Sequence, residues 1–104
     1  MFSPALEAVL HLAFREAISR RHAYLTLEHL LYALAHDPEG ERILGACGAD
    51  LPGLRATLGA YLDESVERQR SGKEQDPEQT MAFRRVLPRD RFAEREMENG
   101  FKRW

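Results

Sequence analysis

The sequence predicts an all-α protein, a small bundle made of one four-helix repeat and the start of a second. Apolar residues recur every three or four positions through the first 64 residues, which is the spacing of one helix face. Ser, Thr or Asp precedes each of these runs as a helix cap, and Gly or Pro marks where several of them end. The chain has 104 residues, which is enough for a single small core.

The first predicted helix runs from Pro4 to about Arg20. Ser3 can accept a hydrogen bond from a free amide of the first turn, and Pro4 is tolerated there because its missing N–H has no helical partner. Steps of three and four residues predict a buried apolar stripe. The stripe consists of Leu6, Val9, Leu10, Ala13, Phe14, Ala17 and Ile18.

The second predicted helix begins after Thr26 and ends before Pro38, since a proline disfavours helical geometry in the residue that precedes it. Its predicted inward positions are Leu27, Leu30, Leu31 and Leu34. Asp37 then caps a third helix, and Gly48 supplies the backbone freedom that ends it. The predicted buried positions of the third helix are Ile43, Leu44 and Cys47.

The fourth predicted helix is capped by Asp50 and extends to residue 64. Its predicted apolar face consists of Leu51, Leu54, Leu58, Tyr61 and Leu62. The composition then changes, because residues 65–79 contain a single aliphatic side chain, Val66, among charged and polar residues. We therefore interpret residues 1–64 as the first repeat and residues 65–79 as a flexible linker.

Residues 80–104 are predicted to form a partial, divergent second repeat and a tail. Thr80 can cap a short fifth helix, which Pro88 stops. The positions of this helix predicted to face the core are Met81, Phe83, Val86 and Leu87. The following stretch is mostly charged, and a frayed helix at residues 91–98 is the only further element that it predicts.

The charge balance and the cysteine count exclude several classes of function. The net charge is −2, whereas a dedicated nucleic-acid-binding protein carries a basic excess that offsets phosphate. No apolar run approaches the roughly 20 residues that a membrane-spanning helix needs. A single cysteine, Cys47, cannot form an intramolecular disulfide and fits a reducing compartment. We therefore expect a cytoplasmic protein.

No catalytic motif is visible in the sequence. Gly72-Lys73 is not followed by the Ser or Thr of a phosphate-binding loop, and no GxGxxG, CxxC or HExxH pattern occurs. A zinc site formed by His22, His29 and Cys47 is disfavoured because no two of these ligands are tightly spaced. We interpret His22 instead as a hydrogen-bonding residue of the loop before the second helix. The sequence thus predicts no enzymatic activity, no cofactor and no metal.

Five segments, in their order and spacing, resemble the Clp N-terminal repeat family, and most closely the ClpA-type N-domains within it. These are Ala13-Phe14, Arg21-His22, residues 25–34 (LTLEHLLYAL), residues 46–63 (ACGADLPGLRATLGAYLD) and residues 80–87 (TMAFRRVL). The last segment is similar to the opening of the family's second repeat. The resemblance implies two tandem four-helix repeats without catalytic residues of their own.

The resemblance also implies a function in protein docking. N-domains of this type bind a ClpS-type adaptor and some protein substrates, and they precede a ClpA-type ATPase when they are part of a longer chain. Carried over by position, the adaptor-binding residues are Glu28, at the start of the second helix, and Thr80, at the opening of the second repeat. The family has a further acidic residue where this chain has Ala23, so a weaker electrostatic attraction to the adaptor is expected.

The end of the chain departs most from the family pattern. Pro88 interrupts the fifth helix, and most of the second repeat is missing, so the sequence is compatible with a fragment, a truncated gene product or a free-standing protein. Exposed apolar helix faces could then support a homodimer. The alternative is a free-standing interaction or regulatory protein whose charged tail contacts nucleic acid, although acidic residues in that tail would repel phosphate.

Overall fold

The computed structural model describes residues 3–69 and 76–86. The elements in these ranges are α1 Pro4–Ser19, β1 Tyr24–Leu25, α2 Leu27–His36, α3 Pro38–Ala46, α4 Leu51–Glu64, β2 Glu78–Gln79 and α5 Met81–Val86. Helices dominate, which confirms the all-α fold class, and in the described ranges no helix is long and apolar enough to cross a membrane. The predicted stop at Pro88 and the predicted helix at residues 91–98 lie outside the described residues.

Side-chain caps begin the helices where the sequence predicts them. Each capping oxygen accepts a hydrogen bond from a backbone N–H of the first turn, which would otherwise lack a partner. The pairs are Leu6 N–H to Ser3 (3.1 Å), Gly40 N–H to Asp37 (3.0 Å), Gly53 N–H to Asp50 (3.4 Å) and Phe83 N–H to Thr80 (3.1 Å). Because the caps determine where each helix starts, the predicted helix boundaries are confirmed to within one or two residues.

The core lies mainly between α1 and α2. Its buried members are Val9, Leu10, Ala13, Phe14, Ala17, Leu25, Leu30, Ala33 and Phe83. The predicted stripe of α1 supplies five of these residues, so the periodicity of that helix is confirmed. Phe83 of α5 is fully buried in the same cluster. The opening of the predicted second repeat therefore packs on the core of the first.

Several predicted core positions are wrong, most of them in or next to the short helices α3 and α5, which reach the core through single residues. Gly40 is the buried residue of α3 and Phe83 that of α5. Leu44 of α3 is half-buried. The exposed residues that were predicted to be buried are Ile18, Ile43, Cys47, Tyr61, Met81 and Val86. Leu87, also predicted to face the core, lies outside the described residues.

The buried face of α2 is also shifted from the predicted one. Its leucines at positions 27, 31 and 34 are half-buried, and Leu30 is the buried leucine. His29, Ala33 and Ala35 are buried in their place. Helix α2 packs against α1, α3 and α4 at once, and small side chains allow that close approach. A prediction based on large apolar residues alone therefore missed this face.

Backbone hydrogen bonds join both described ends of the predicted linker to the loop after α1, and at one end they form two short strands that the sequence did not predict. Strands β1 and β2 are parallel, with Tyr24 opposite Glu78 and Leu25 opposite Gln79. The backbone hydrogen bonds are Ala23 N–H to Glu67 O (2.8 Å), Gln69 N–H to Arg21 O (2.8 Å), Glu78 N–H to Ala23 O (3.0 Å) and Thr80 N–H to Leu25 O (3.1 Å). Residues 70–75 lie outside the described residues, and the division of the chain at residues 64 and 79 stays a prediction.

Helix α1 ends in a reverse turn that places Arg21 in the left-handed region of the backbone, with φ of 57°. Arg21 N–H donates to Ile18 O and His22 N–H donates to Ala17 O, both at 2.9 Å. This pair of bonds is the Schellman motif, in which glycine usually occupies the left-handed position. Helix α3 ends in the same way, and there the left-handed residue is Gly48, with φ of 89°.

The two turns lead to opposite predictions for the free energy of unfolding when glycine is introduced at one and removed at the other. We expect Arg21→Gly to raise the free energy of unfolding by up to about 1 kcal/mol, since glycine removes the left-handed strain but gains freedom in the unfolded chain. Gly48→Ala should lower it by about 1 kcal/mol, because alanine introduces that strain. Urea unfolding followed by circular dichroism measures both changes. A marked loss of stability in Arg21→Gly would contradict this account.

Candidate functional site

Glu28 lies in the first turn of α2 and is half-buried. Its carboxylate stands where the amide dipoles of the helix favour a negative charge. The ion pairs among the described residues use other carboxylates, namely Glu16, Asp63, Glu39 and Glu41. Glu28 thus belongs to none of the ion pairs formed within residues 3–69 and 76–86.

Thr80 connects β2 to α5. Its hydroxyl accepts the Phe83 N–H at 3.1 Å, and its own N–H donates to the Leu25 carbonyl at 3.1 Å. Leu25 stands three residues before Glu28 in the chain. The structure thus brings the segment of Thr80 beside the segment that begins α2, although 52 positions separate the two residues in sequence.

Ala23 lies between the two described ends of the predicted linker. Its N–H donates to Glu67 O at 2.8 Å, and its carbonyl accepts the Glu78 N–H at 3.0 Å. Glu78 itself is exposed and lies opposite Tyr24, which is also exposed. The residue that carries the Glu78 carboxylate is therefore attached by its backbone to Ala23.

Sequence reasoning missed Glu78 because it assigned the residue to the linker. A strand of two residues has no alternation of apolar and polar side chains, so its pattern carries no signal. Its pairing depends on backbone groups, which every residue except proline presents alike.

His22 and His29 form a buried pair behind this surface. Both side chains are fully buried, and His22 Nδ1 lies 2.7 Å from His29 Nε2. The Thr26 N–H donates to His29 Nδ1 at 3.0 Å, and the Thr26 hydroxyl lies 2.9 Å from the same nitrogen. The prediction that His22 is a hydrogen-bonding residue is thus confirmed, with His29 as the partner.

The order of donors and acceptors defines the protonation of the pair. A backbone N–H can only donate, so His29 Nδ1 must accept and the proton of His29 lies on Nε2. His29 Nε2–H then donates to His22 Nδ1, which places the proton of His22 on Nε2. That nitrogen is buried and has no hydrogen bond of good geometry, although it faces the backbone of Leu62.

The surroundings of both rings disfavour a positive charge. Burial lowers the pKa of His29 to about 4, and the neighbouring His22 and Arg20 add to this effect. Burial also lowers the pKa of His22, against a smaller opposing effect of the Leu62 backbone. Both imidazoles are therefore neutral near pH 7, as the hydrogen bonds between them require.

The structure does not bring the three considered zinc ligands together. Cys47 is exposed at the end of α3, whereas His22 and His29 are fully buried. Across residues 3–69 and 76–86, no group of three or more His, Cys, Asp or Glu side chains could hold a metal ion. The histidine pair therefore forms a buried hydrogen bond, and the candidate site is left with the segments of Glu28 and Thr80.

Comparisons with known proteins give the similarity of the whole chain. The family model of the Clp repeat (R) N-terminal domain matches residues 1–101. The chain is 41% identical over 91 residues to a ClpA homolog protein of Fuscovulum blasticum, an alignment that covers 85% of this chain and 11% of the relative. It is 36% identical over 73 residues to the ATP-dependent Clp protease ATP-binding subunit ClpA homolog of Porphyra purpurea, covering 68% and 9%.

A further relative comes from a plant. The chain is 37% identical over 68 residues to the chloroplastic chaperone protein ClpC1 of Oryza sativa subsp. japonica, covering 64% of this chain and 7% of the relative. The chain therefore spans about a tenth of the length of these curated relatives.

Proposed function

The chain belongs to the Clp repeat (R) N-terminal domain family, and from this premise we propose that it is a non-catalytic docking module that binds a ClpS-type adaptor for regulated proteolysis. Membership confirms the resemblance seen in the sequence, and the named relatives are subunits or chaperones of the Clp system. Protein substrates are the second class of partner that we propose. A ClpA-type ATPase would act on what this module captures.

The observation that carries the proposal is the hydrogen bond from Thr80 N–H to Leu25 O. It holds the two segments predicted to contact the adaptor side by side, as a single binding surface requires. We name this region the docking surface and define it by its exposed or half-buried residues. These are Tyr24, Glu28, Glu78, Thr80 and Met81.

The docking surface fits a partner that combines a basic side chain with apolar contacts. Tyr24 and Met81 offer exposed apolar area, and the exposed fraction of Met81 reaches 65%. Glu28 and Glu78 supply carboxylates that no ion pair within the described residues occupies. A lysine or arginine of the partner would therefore gain an attraction without displacing an internal cation.

Charge reversal at Glu28 tests the surface. We expect Glu28→Lys to weaken binding of a purified ClpS-type adaptor several-fold or more, because an attraction of up to about 1 kcal/mol becomes a repulsion. Isothermal titration calorimetry measures the change. Ala23→Glu should strengthen binding, because it adds a carboxylate beside Glu78.

Glu7→Lys is the matched control. Glu7 is also a half-buried carboxylate in the first turn of a helix, so its reversal costs a similar helix-dipole attraction. It should leave adaptor affinity unchanged, because α1 contributes nothing to the docking surface. If the adaptor binds and neither Glu28→Lys nor Ala23→Glu shifts its affinity relative to Glu7→Lys, the proposed surface is wrong.

A further inference from the structure

The buried His22–His29 pair connects α2 to the loop between α1 and α2, which contains Tyr24 of the docking surface. Its rings join the end of that loop nearest α1 to the first turn of α2, through the 2.7 Å contact between His22 Nδ1 and His29 Nε2. Thr26, at the other end of the loop, is held by its N–H bond to His29. The backbone that runs between these residues forms β1 and is the element to which residues 78–80 attach.

We propose that the His22–His29 pair positions the docking surface, and that a proton entering the pair releases residues 78–80 from β1. This proposal depends on the proposed function only where it concerns adaptor binding. The attachment that it concerns is a property of the chain itself. It consists of the hydrogen bonds from Glu78 N–H to Ala23 O and from Thr80 N–H to Leu25 O.

A single added proton is enough to break the arrangement. With both rings neutral, each contact from Thr26 to His22 pairs a donor with an acceptor. Thr26 N–H donates to His29 Nδ1, and His29 Nε2–H donates to His22 Nδ1. If His29 gains a proton, its Nδ1 becomes a donor. The Thr26 hydroxyl, 2.9 Å away, can accept this hydrogen, but the Thr26 N–H loses its acceptor and faces another donor. If His22 gains one, its Nδ1–H faces the Nε2–H of His29. Either change forces β1 to shift, because both rings are buried and cannot turn to water.

The charged groups around the pair do not compensate for a proton. Arg20, at the end of α1, faces both rings and opposes a second positive charge. Arg68, in the segment after α4, also opposes a charge on His22. The carboxylate of Asp63, in α4, favours a positive charge on His22, but its Oδ1 already accepts a hydrogen bond from Arg20 Nε at 2.9 Å.

Amide hydrogen exchange of the free protein tests the proposal without any partner. We expect the protection factors of the Glu78 and Thr80 amides to fall by about tenfold per pH unit once the pH is below the ordinary histidine pKa. The amides of Leu10 and Phe14, in the middle of α1, should keep higher protection factors than Glu78 and Thr80 at every pH in this range, because they open only on global unfolding. Protection factors are compared because they divide out the intrinsic pH dependence of exchange.

His29→Gln isolates the titration from the packing. A glutamine at this helix position can still accept the Thr26 N–H and donate toward His22, but it cannot take up a proton. We expect the fall in protection at the Glu78 and Thr80 amides to be smaller in this variant, because His22 is the one member of the pair that can still take up a proton. His36→Gln is the control, because His36 is an exposed histidine of the same helix.

Two results would overturn the proposal. One is that Glu78 and Thr80 have the same protection factors as the α1 amides at every pH in wild-type protein, because these amides then open only on global unfolding; this result needs no folded variant. The other is a folded His29→Gln whose pH profile at these amides matches that of His36→Gln.

Adaptor affinity measured over the same pH range separates the two proposals. If the amides open as expected and affinity does not follow, the docking surface is wrong and the positioning role stands.

Discussion

Gly40→Ala is expected to lower the free energy of unfolding by about 3 kcal/mol or more, and to leave much of the protein unfolded if the domain is marginal. Gly40 is buried where the start of α3 passes the backbone of α2. A Cβ atom at this position would overlap the carbonyl oxygen of Leu34 and lie 2.9 Å from its carbonyl carbon. Backbone atoms cannot move aside as a flexible side chain can, so the two helices would have to separate.

Gly45→Ala is the matched control within the same helix. A Cβ atom at Gly45 meets no heavy atom within 4 Å, so alanine should stabilise α3 by up to about 1 kcal/mol through its higher helix propensity. Urea denaturation of the two variants at neutral pH measures the contrast. A loss of less than about 1 kcal/mol in Gly40→Ala would contradict the close approach of α2 and α3.

Acidification is expected to lower the global free energy of unfolding by about 3 kcal/mol through the histidine pair alone. Burial lowers the pKa of His29 from 6.5 in the unfolded chain to about 4 in the folded protein. The unfolded state therefore binds more protons between these values. The contribution is present in full above pH 6.5 and is lost as the pH falls toward 4. Since the two rings are coupled, we treat the pair as one titrating unit.

Urea unfolding at a series of pH values between 7 and 4 measures this dependence. Protonation of carboxylates contributes to acid denaturation in general, so the comparison of variants matters more than the absolute slope. His29→Gln should flatten the profile, and His36→Gln should follow wild type. Equal slopes for all three proteins would show that the buried pair does not control acid stability.

Local chemistry explains which parts of the fold could be predicted from sequence. Ser3, Asp37 and Asp50 each act within one helical turn, and the caps that they form were predicted correctly. The stripe of α1 was also correct except at Ile18, because a long helix against a large core has one buried face. On α5 the prediction holds for Phe83 but not for Met81 or Val86, and on α3 Ile43 is exposed, since what these short helices bury depends on the elements that face them.

The residues of the candidate site also differ in whether they could be predicted from sequence. Glu28 and Thr80 could be named because the segments that contain them resemble a known family. The pairing of Glu78 with Tyr24 joins positions that are far apart in the chain. It uses backbone groups that nearly all residues share, so no local sequence pattern predicts it. The contact between His22 and His29 depends on the left-handed turn at Arg21, a position where sequence rules expect glycine.

The burial of Phe83 has a consequence for synthesis on the ribosome. The side chain packs in the cluster formed by α1 and α2, so the core residues of these helices, which are synthesised first, lack this packing partner until Phe83 is synthesised. At the usual pace of elongation, the interval between residues 64 and 83 is roughly one to four seconds. During that time the nascent helices would expose a cleft that accepts an aromatic side chain. A chaperone that binds such clefts would therefore have most access to this chain before Phe83 emerges.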